Sequence, residues 1–185
     1  QANALLDEAG WVDSDGDGIR DQNGQPLILQ AYLMSWGYLP EVGQMLQAQF
    51  QAVGIDLQTQ LVAFPAAVEA AAQGAHHLAP MTFSSSDPSV LGTTYLSSNA
   101  DGGFNWSKVR DAELDRLLNE GVSQLEPTTR ASLYAQAQIR IMDLALVLPI
   151  RDYVNLNGAK ASVKGLRYDR RGWFPWLYDV YLEEE

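Results

Sequence analysis

The stretch "LILQAYLMSWGYLPEVGQMLQAQFQAVGIDLQTQLVAFPAAVEAAAQGAHHLAPMTFS", residues 27–84, decides the expected fold. Its first eight residues, 27–34, are short, apolar and strand-like. Residues 40–54 follow the helical period: Val42, Leu46, Phe50 and Val53 form one stripe, Pro40 suits the first turn, and Gly54 suits the C-terminal stop. Residues 55–64 alternate apolar and polar side chains, the pattern of a strand with one buried face. Residues 65–74 predict a second helix ended by Gly74, and "HLAPMTFS" (77–84) predicts a third strand. A β-α-β-α-β order implies parallel strands joined by right-handed crossovers. Ligands of such sheets gather beyond the C-terminal strand ends. Here those ends are Ser35-Trp36-Gly37, Phe64 and "FSSSDP" (83–88).

Upstream, Leu5, Leu6 and Ala9 lie at helical spacing and Gly10 is a plausible stop. The acidic loop "DSDGDGIRD" (13–21) follows. It sets Asp13, Asp15, Asp17 and Asp21 at positions 1, 3, 5 and 9 of a calcium loop, with Gly18 at 6 and the Ile19 carbonyl at 7. Position 12, where such loops carry a bidentate carboxylate, is Gly24. Asn23-Gly24 is also the strongest hairpin-turn signal in the chain, so the turn claims that place. Calcium is thus the one cofactor the sequence suggests, and a calcium-dependent interaction module is the alternative reading.

Downstream the chain is mainly helical. Leu114, Leu117, Leu118 and Val122 share one face of residues 110–122; Leu133, Ala137, Ile141 and Leu144 share another on 127–145. Residues 146–159 look extended, and the tail is dense in aromatics: Trp173, Phe174, Trp176, Tyr178 and Tyr181. The expected class is α/β, a mixed sheet with flanking helices.

The net charge of −11 argues against nucleic acid as a partner, since the basic residues do not cluster beyond "RYDRR" (167–171), where Asp169 offsets part of the charge. No apolar run has the length that crosses a bilayer. Without cysteine there is no disulfide or thiol nucleophile. There is no GxSxG, P-loop or GxGxxG, and the only histidines, His76 and His77, are adjacent, so no enzyme is expected. The candidate ligand contacts are Trp36 at one strand end and Phe83, Ser84, Ser85, Ser86 and Asp87 at another, hydroxyls and a carboxylate beside an apolar wall. Asp87 has a competing role as a helix cap ahead of Pro88. "DGGFNWS" (101–107) adds Asn105 for hydrogen bonding and Trp106, with Phe104, for stacking; the competing role for its aromatics is core packing.

Six segments in this order are similar to something known: "ALLDEAGWVDSDGDGIRDQNGQPL", "LQAQFQAVGIDLQTQLV", "SSSDPSVL", "DAELDRLLNEG", "RASLYAQAQIRIMDLALVLPI" and "VKGL". The chain resembles the C-terminal lobe of the family 5 extracellular solute-binding proteins, the oligopeptide-, dipeptide- and nickel-binding components of ABC importers. The resemblance implies a type II periplasmic-binding-protein-like lobe over residues 1–185. An N-terminal lobe of the same protein and a membrane permease are its partners, and a peptide or other small polar solute is its ligand. It implies an extracytoplasmic location, periplasmic or as a cell-surface lipoprotein. It also places hinge or crossing segments at 148–157 and 163–185. In peptide-binding members an Asp several residues before the matching Asp-Pro holds the ligand's ammonium group; by register that position is Ser84 here, which puts a sugar or another less cationic solute on a level with a peptide.

Overall fold

Two parallel strands, 28–34 and 56–62, are the pair on which the first part of the molecule is built. The computed structural model describes residues 1–151 and 154–183. It divides into two units, Gln1–Thr82 and Phe83–Glu185.

The first unit begins with helix α1 (Ala2–Glu8). Strands β1 (Asp21–Gln22) and β2 (Gln25–Pro26) form a small antiparallel hairpin. Asn23 and Gly24 close it with φ of 54° and 73°, the left-handed pair that a two-residue hairpin turn demands. Strand β3 (Ile28–Met34), helix α2 (Leu39–Gln51), strand β4 (Asp56–Val62) and helix α3 (Phe64–Gln73) follow. β3 and β4 are parallel, in register from Ile28↔Asp56 to Met34↔Val62. Pro40 lies in the first turn of α2, and Gly74 caps α3 in the left-handed conformation.

The third predicted strand is much shorter than 77–84. It is a single parallel bridge between Leu78 and Ala31, in which the Tyr32 amide donates to the Leu78 carbonyl at 3.2 Å. Pro80, two residues on, has no N–H to give to the ladder, and the chain leaves it. The core here is Ala31, Leu33 and Leu57, with Leu46 and Phe50 of the predicted α2 stripe and Leu29 and Leu78 packed against it. Gly43 is the buried residue of α2, and a Cβ there would run into the Leu33 side chain. Its bare backbone lets the helix sit close on β3.

The second unit is helical, then irregular. Helices α4 (Val90–Tyr95), α5 (Ala112–Ser123) and α6 (Pro127–Asp143) surround a core of Leu114, Leu117, Leu118, Tyr134, Ala137 and Ile141. Asp111 caps α5, its Oδ1 accepting from the Leu114 amide at 2.8 Å, and pairs with Arg140 at 2.7 Å. Glu126 caps α6 by accepting from the amides of Thr128 and Thr129. Two sequence expectations are corrected. Val122 is exposed, because α5 buries Gly121 on that last turn instead, under the ring of Tyr134. And α6 stops at Asp143, with Ala145 at φ 52° breaking the helix before its predicted end.

The tail forms two antiparallel ladders, β5 (Val163–Lys164) with β8 (Tyr181–Leu182) and β6 (Arg167–Tyr168) with β7 (Pro175–Trp176). Among the described residues the strands pair as one parallel and three antiparallel two-stranded ladders. Of the expected crossing segment 148–157, Asp152 and Tyr153 lie outside the described residues; the rest of it has no helix or strand. No helix among the described residues is long and apolar enough to cross a membrane.

Candidate functional site

In the second unit the predicted strand-end residues Phe83, Ser84, Ser85 and Ser86 are exposed and Asp87 is half-buried. Phe83 and Phe104 meet edge to face, ring centroids 5.6 Å apart at 78°, and Phe104 leans on Trp106 at 6.1 Å. Phe83 and Phe104 remain 38% and 39% exposed, so both keep surface for a ligand. The Ser85 hydroxyl accepts from the Asp87 amide at 3.1 Å.

Asp87 is engaged with its own chain. Its Oδ1 accepts from Arg130 and from the Ser89 amide, both at 2.8 Å. The Arg130 guanidinium first, then the Ser89 side chain and N–H, hold the carboxyl well below the ordinary range. This ion pair fastens the approach to α4 against α6. The expected helix cap is displaced by two residues: α4 starts at Val90, and Asp87 serves the turn before it. Arg130 also lies over the Tyr134 ring at 5.0 Å. Sequence reading missed Arg130, since one arginine on a helix gives no sign of a partner 43 positions away.

Asn105 and Trp106 are corrections. Asn105 is fully buried, and its amide nitrogen donates to the carbonyls of Leu96 at 3.0 Å and Val109 at 2.9 Å. Its carbonyl oxygen accepts from the Ser107 hydroxyl at 2.9 Å. A buried amide must find partners, and the turn around it supplies them, so it organises the loop rather than facing a solute. Trp106 is buried with it and backs Phe104. Of "DGGFNWS", the residue left at the surface with stacking capacity is Phe104.

In the first unit, Trp36 follows β3 and Phe64 opens α3 just after β4. Their rings lie 5.7 Å apart, tilted by 30°, with Trp36 51% and Phe64 37% exposed. This second aromatic pair thus sits just past the C-terminal ends of the parallel strands.

The acidic loop gathers Asp13, Asp15 and Asp17, one oxygen from each lying within 4.8 Å of the others. These residue types suit a hard cation. Each carboxylate also accepts from the loop's own amides: Asp13 from Gly16 and Gly18, Asp15 from Asp17, and Asp17 from Ile19. Asp21 does not join them. Its Oδ2 accepts from the Ser14 hydroxyl at 2.6 Å and the Ser14 amide at 3.0 Å, and these two bonds lower its carboxyl pKa. Its backbone pairs with Val12.

A family model described as bacterial extracellular solute-binding proteins, family 5 Middle, matches residues 1–105. The oligopeptide-binding protein AppA of Bacillus subtilis is 26% identical over 195 residues, which cover 96% of this chain and 34% of the relative. The solved structure of AppA with a nonapeptide is similar with a TM-score of 0.74 at 22% identity, over 98% of this chain and 37% of that one. HbpA2 of Haemophilus parasuis reaches 0.77 at 20% identity, over 98% and 35%. The chain thus spans about a third of the length of the relatives it matches, 34% of the first. These likenesses show an α/β fold of the type II periplasmic-binding-protein kind. The match over residues 1–105 settles the family: the chain belongs to the family 5 bacterial extracellular solute-binding proteins.

Proposed function

We propose that this chain is a ligand-binding lobe of an ABC-importer solute-binding protein, working outside the cytoplasm in a periplasm or as a cell-surface lipoprotein. The observation that carries the reading is the family match over residues 1–105. Half-exposed aromatic pairs support it, Trp36 with Phe64 just past the parallel strands in one unit and Phe83 with Phe104 in the other. A peptide or other small polar solute is held against this lobe and an N-terminal lobe of the same protein. A solute that contacts both lobes binds the closed form better than the open one and shifts the population toward it. A membrane permease then receives the closed protein. No bond is made or broken, so the lobe needs no nucleophile, acid-base pair or redox group.

The test is calorimetric titration of the full-length protein and of residues 1–185 with the same solutes. The full-length protein is expected to bind in the micromolar range, about −8 kcal/mol, and the lobe at about millimolar or weaker. Equal micromolar affinity for the lobe alone would show that the site is not shared.

A further inference from the structure

Residues 83–86 neither donate nor accept a backbone–backbone hydrogen bond among the described residues. No helix or strand sets their shape, so the side chains at their two ends must. At one end Phe83 packs edge to face on Phe104. At the other stands Asp87. Its carboxylate accepts from Arg130 and from the Ser89 amide, both at 2.8 Å, while its own amide donates to the Ser85 hydroxyl at 3.1 Å.

Arg130 is a stiff anchor for that second end. Its Nε donates to the Gly121 carbonyl in the last turn of α5 at 3.0 Å, and its guanidinium lies over the Tyr134 ring, 5.0 Å from the centroid. Tyr134 is 2% exposed and belongs to the helical core, with its ring so close to Gly121 that a Cβ there would meet it at 2.9 Å. A guanidinium fork held at several points loses little further freedom when it takes one more partner. Contact therefore runs without a break from the core to Arg130, to Asp87 and on to Ser85. The pair is partly exposed, 27% and 48% by side chain, so it adds little to overall stability. Its consequence is local: it fixes one end of the serine stretch. A solute that meets an ordered stretch does not lose affinity to ordering it.

We propose that Arg130 and Asp87 are positioning residues for solute binding: their ion pair holds Ser84–Ser86 in the shape that the solute meets, and neither side chain touches the solute. The proposal rests on the solute-binding reading above, with the serines as part of the contact, and it names the pair that sets the affinity from behind them.

The experiment compares the full-length parent with Arg130→Gln, Asp87→Ala and the double variant. Stopped-flow binding uses tetra-alanine, a nonapeptide of mixed sequence and maltotetraose as probes. A nitroxide label on Ser86→Cys reads the motion of the stretch without solute. Each single substitution is expected to free the label. For a probe that binds the parent, each is expected to slow association about tenfold, as for a stretch in its binding-ready shape about a tenth of the time, and to leave dissociation nearly unchanged. The double variant is expected to lose no more than either single, because the two side chains act as one. Melting temperatures measured alongside ensure that folded proteins are compared. Asp87→Ala leaves Arg130 on Tyr134 and Gly121, so it reads the pin even where Arg130→Gln loosens the core.

Faster dissociation with association unchanged means that the pair touches the solute, and overturns the proposal. Losses that add in the double variant overturn it too. So does a label equally mobile in parent and variants, or binding kinetics that neither substitution alters; these leave the solute-binding reading standing. A folded parent that binds none of the probes overturns the proposal, and failure of a broad solute screen in addition would take the solute-binding reading with it.

Discussion

The α5–α6 hairpin and the tail beyond it are both rich in large apolar side chains, and they dispose of them in opposite ways. Leu114, Leu117, Leu118, Tyr134 and Ile141 are at most 3% exposed, whereas Trp173, Trp176, Leu177, Tyr178, Tyr181 and Leu182 are 55% to 98% exposed. Composition alone would rank the two regions together. What separates them is register. The α5 leucines fall at i, i+3 and i+4 on one face, and a three-residue connection, Gln124–Glu126, brings α6 back against that face. The tail strands are two residues long and pair only with each other, too short to build a second layer over their aromatics.

The contrast breaks most visibly at Leu117. Leu117→Ala is expected to cost about 2–5 kcal/mol in urea unfolding, through lost burial and the cavity left behind. Leu177→Ser or Tyr178→Ser is expected to change stability by no more than about 0.5 kcal/mol. Similar costs in both regions would erase the distinction.

The caps come next. Asp111→Ala removes the acceptor for the Leu114 amide and the partner of Arg140, and is expected to cost about 1 kcal/mol. Arg140, followed by the Leu114 amide, lowers the Asp111 carboxyl, and the Thr128 and Thr129 amides hold Glu126 down to about 2. Carboxyls lowered on folding add stability that is complete above their unfolded values, about 3.9 for Asp and 4.3 for Glu. That stability disappears as pH falls through the folded value. The gap between the parent and Asp111→Ala should therefore narrow progressively below about pH 4. A gap that stays constant into strong acid would show that the cost of the substitution is not electrostatic.

The tail should declare itself in solution. Exposed apolar surface of this extent favours association, so residues 1–185 are expected to bind an apolar dye and to show concentration-dependent light scattering. Replacing Trp173, Trp176 and Tyr178 together by Ser should reduce both signals. A monomer at high concentration without dye binding would mean that the tail aromatics find cover within the chain.

The smallest effect expected is at the acidic loop. Its three clustered carboxylates already accept from loop amides, and Gly24 at position 12 supplies no side-chain ligand. Millimolar calcium is expected to raise the melting temperature by about one or two degrees at most, as for a site of weak affinity. A large rise, reversed by EDTA, would make this loop a structural calcium site.

The β-α-β core was legible from residues 27–62, because period and punctuation agree there: Pro40 in the first turn, Gly54 after the helix, and alternation through β4. The Asn23-Gly24 turn was legible for the same local reason. The third strand was overextended because its apolar run says nothing about the donor missing at Pro80. Among the candidate contacts, position placed Trp36 just past β3, whereas Phe83 lies well beyond the Leu78 bridge rather than at a strand end. Chemistry alone could not show that Asn105 spends its amide on Leu96 and Val109, or that Asp87 is held by Arg130. Those are contacts between segments, and they leave no periodic trace.

Arg20 ties together pieces that the chain presents separately. Its side chain, 13% exposed, donates to the Val53 carbonyl, the Trp11 carbonyl, Asp7 and Asn3, while its amide donates to the Gly54 carbonyl. In amide hydrogen exchange, the end of α1, the base of the acidic loop and the end of α2 should therefore open as one cooperative block. The tip of the loop, Ser14 to Gly18, should exchange far faster than that block. Arg20→Ala should split the block into segments with different protection. The loop tip is then a place where sequence can drift, or an inserted reporter can sit, without being felt by the strands.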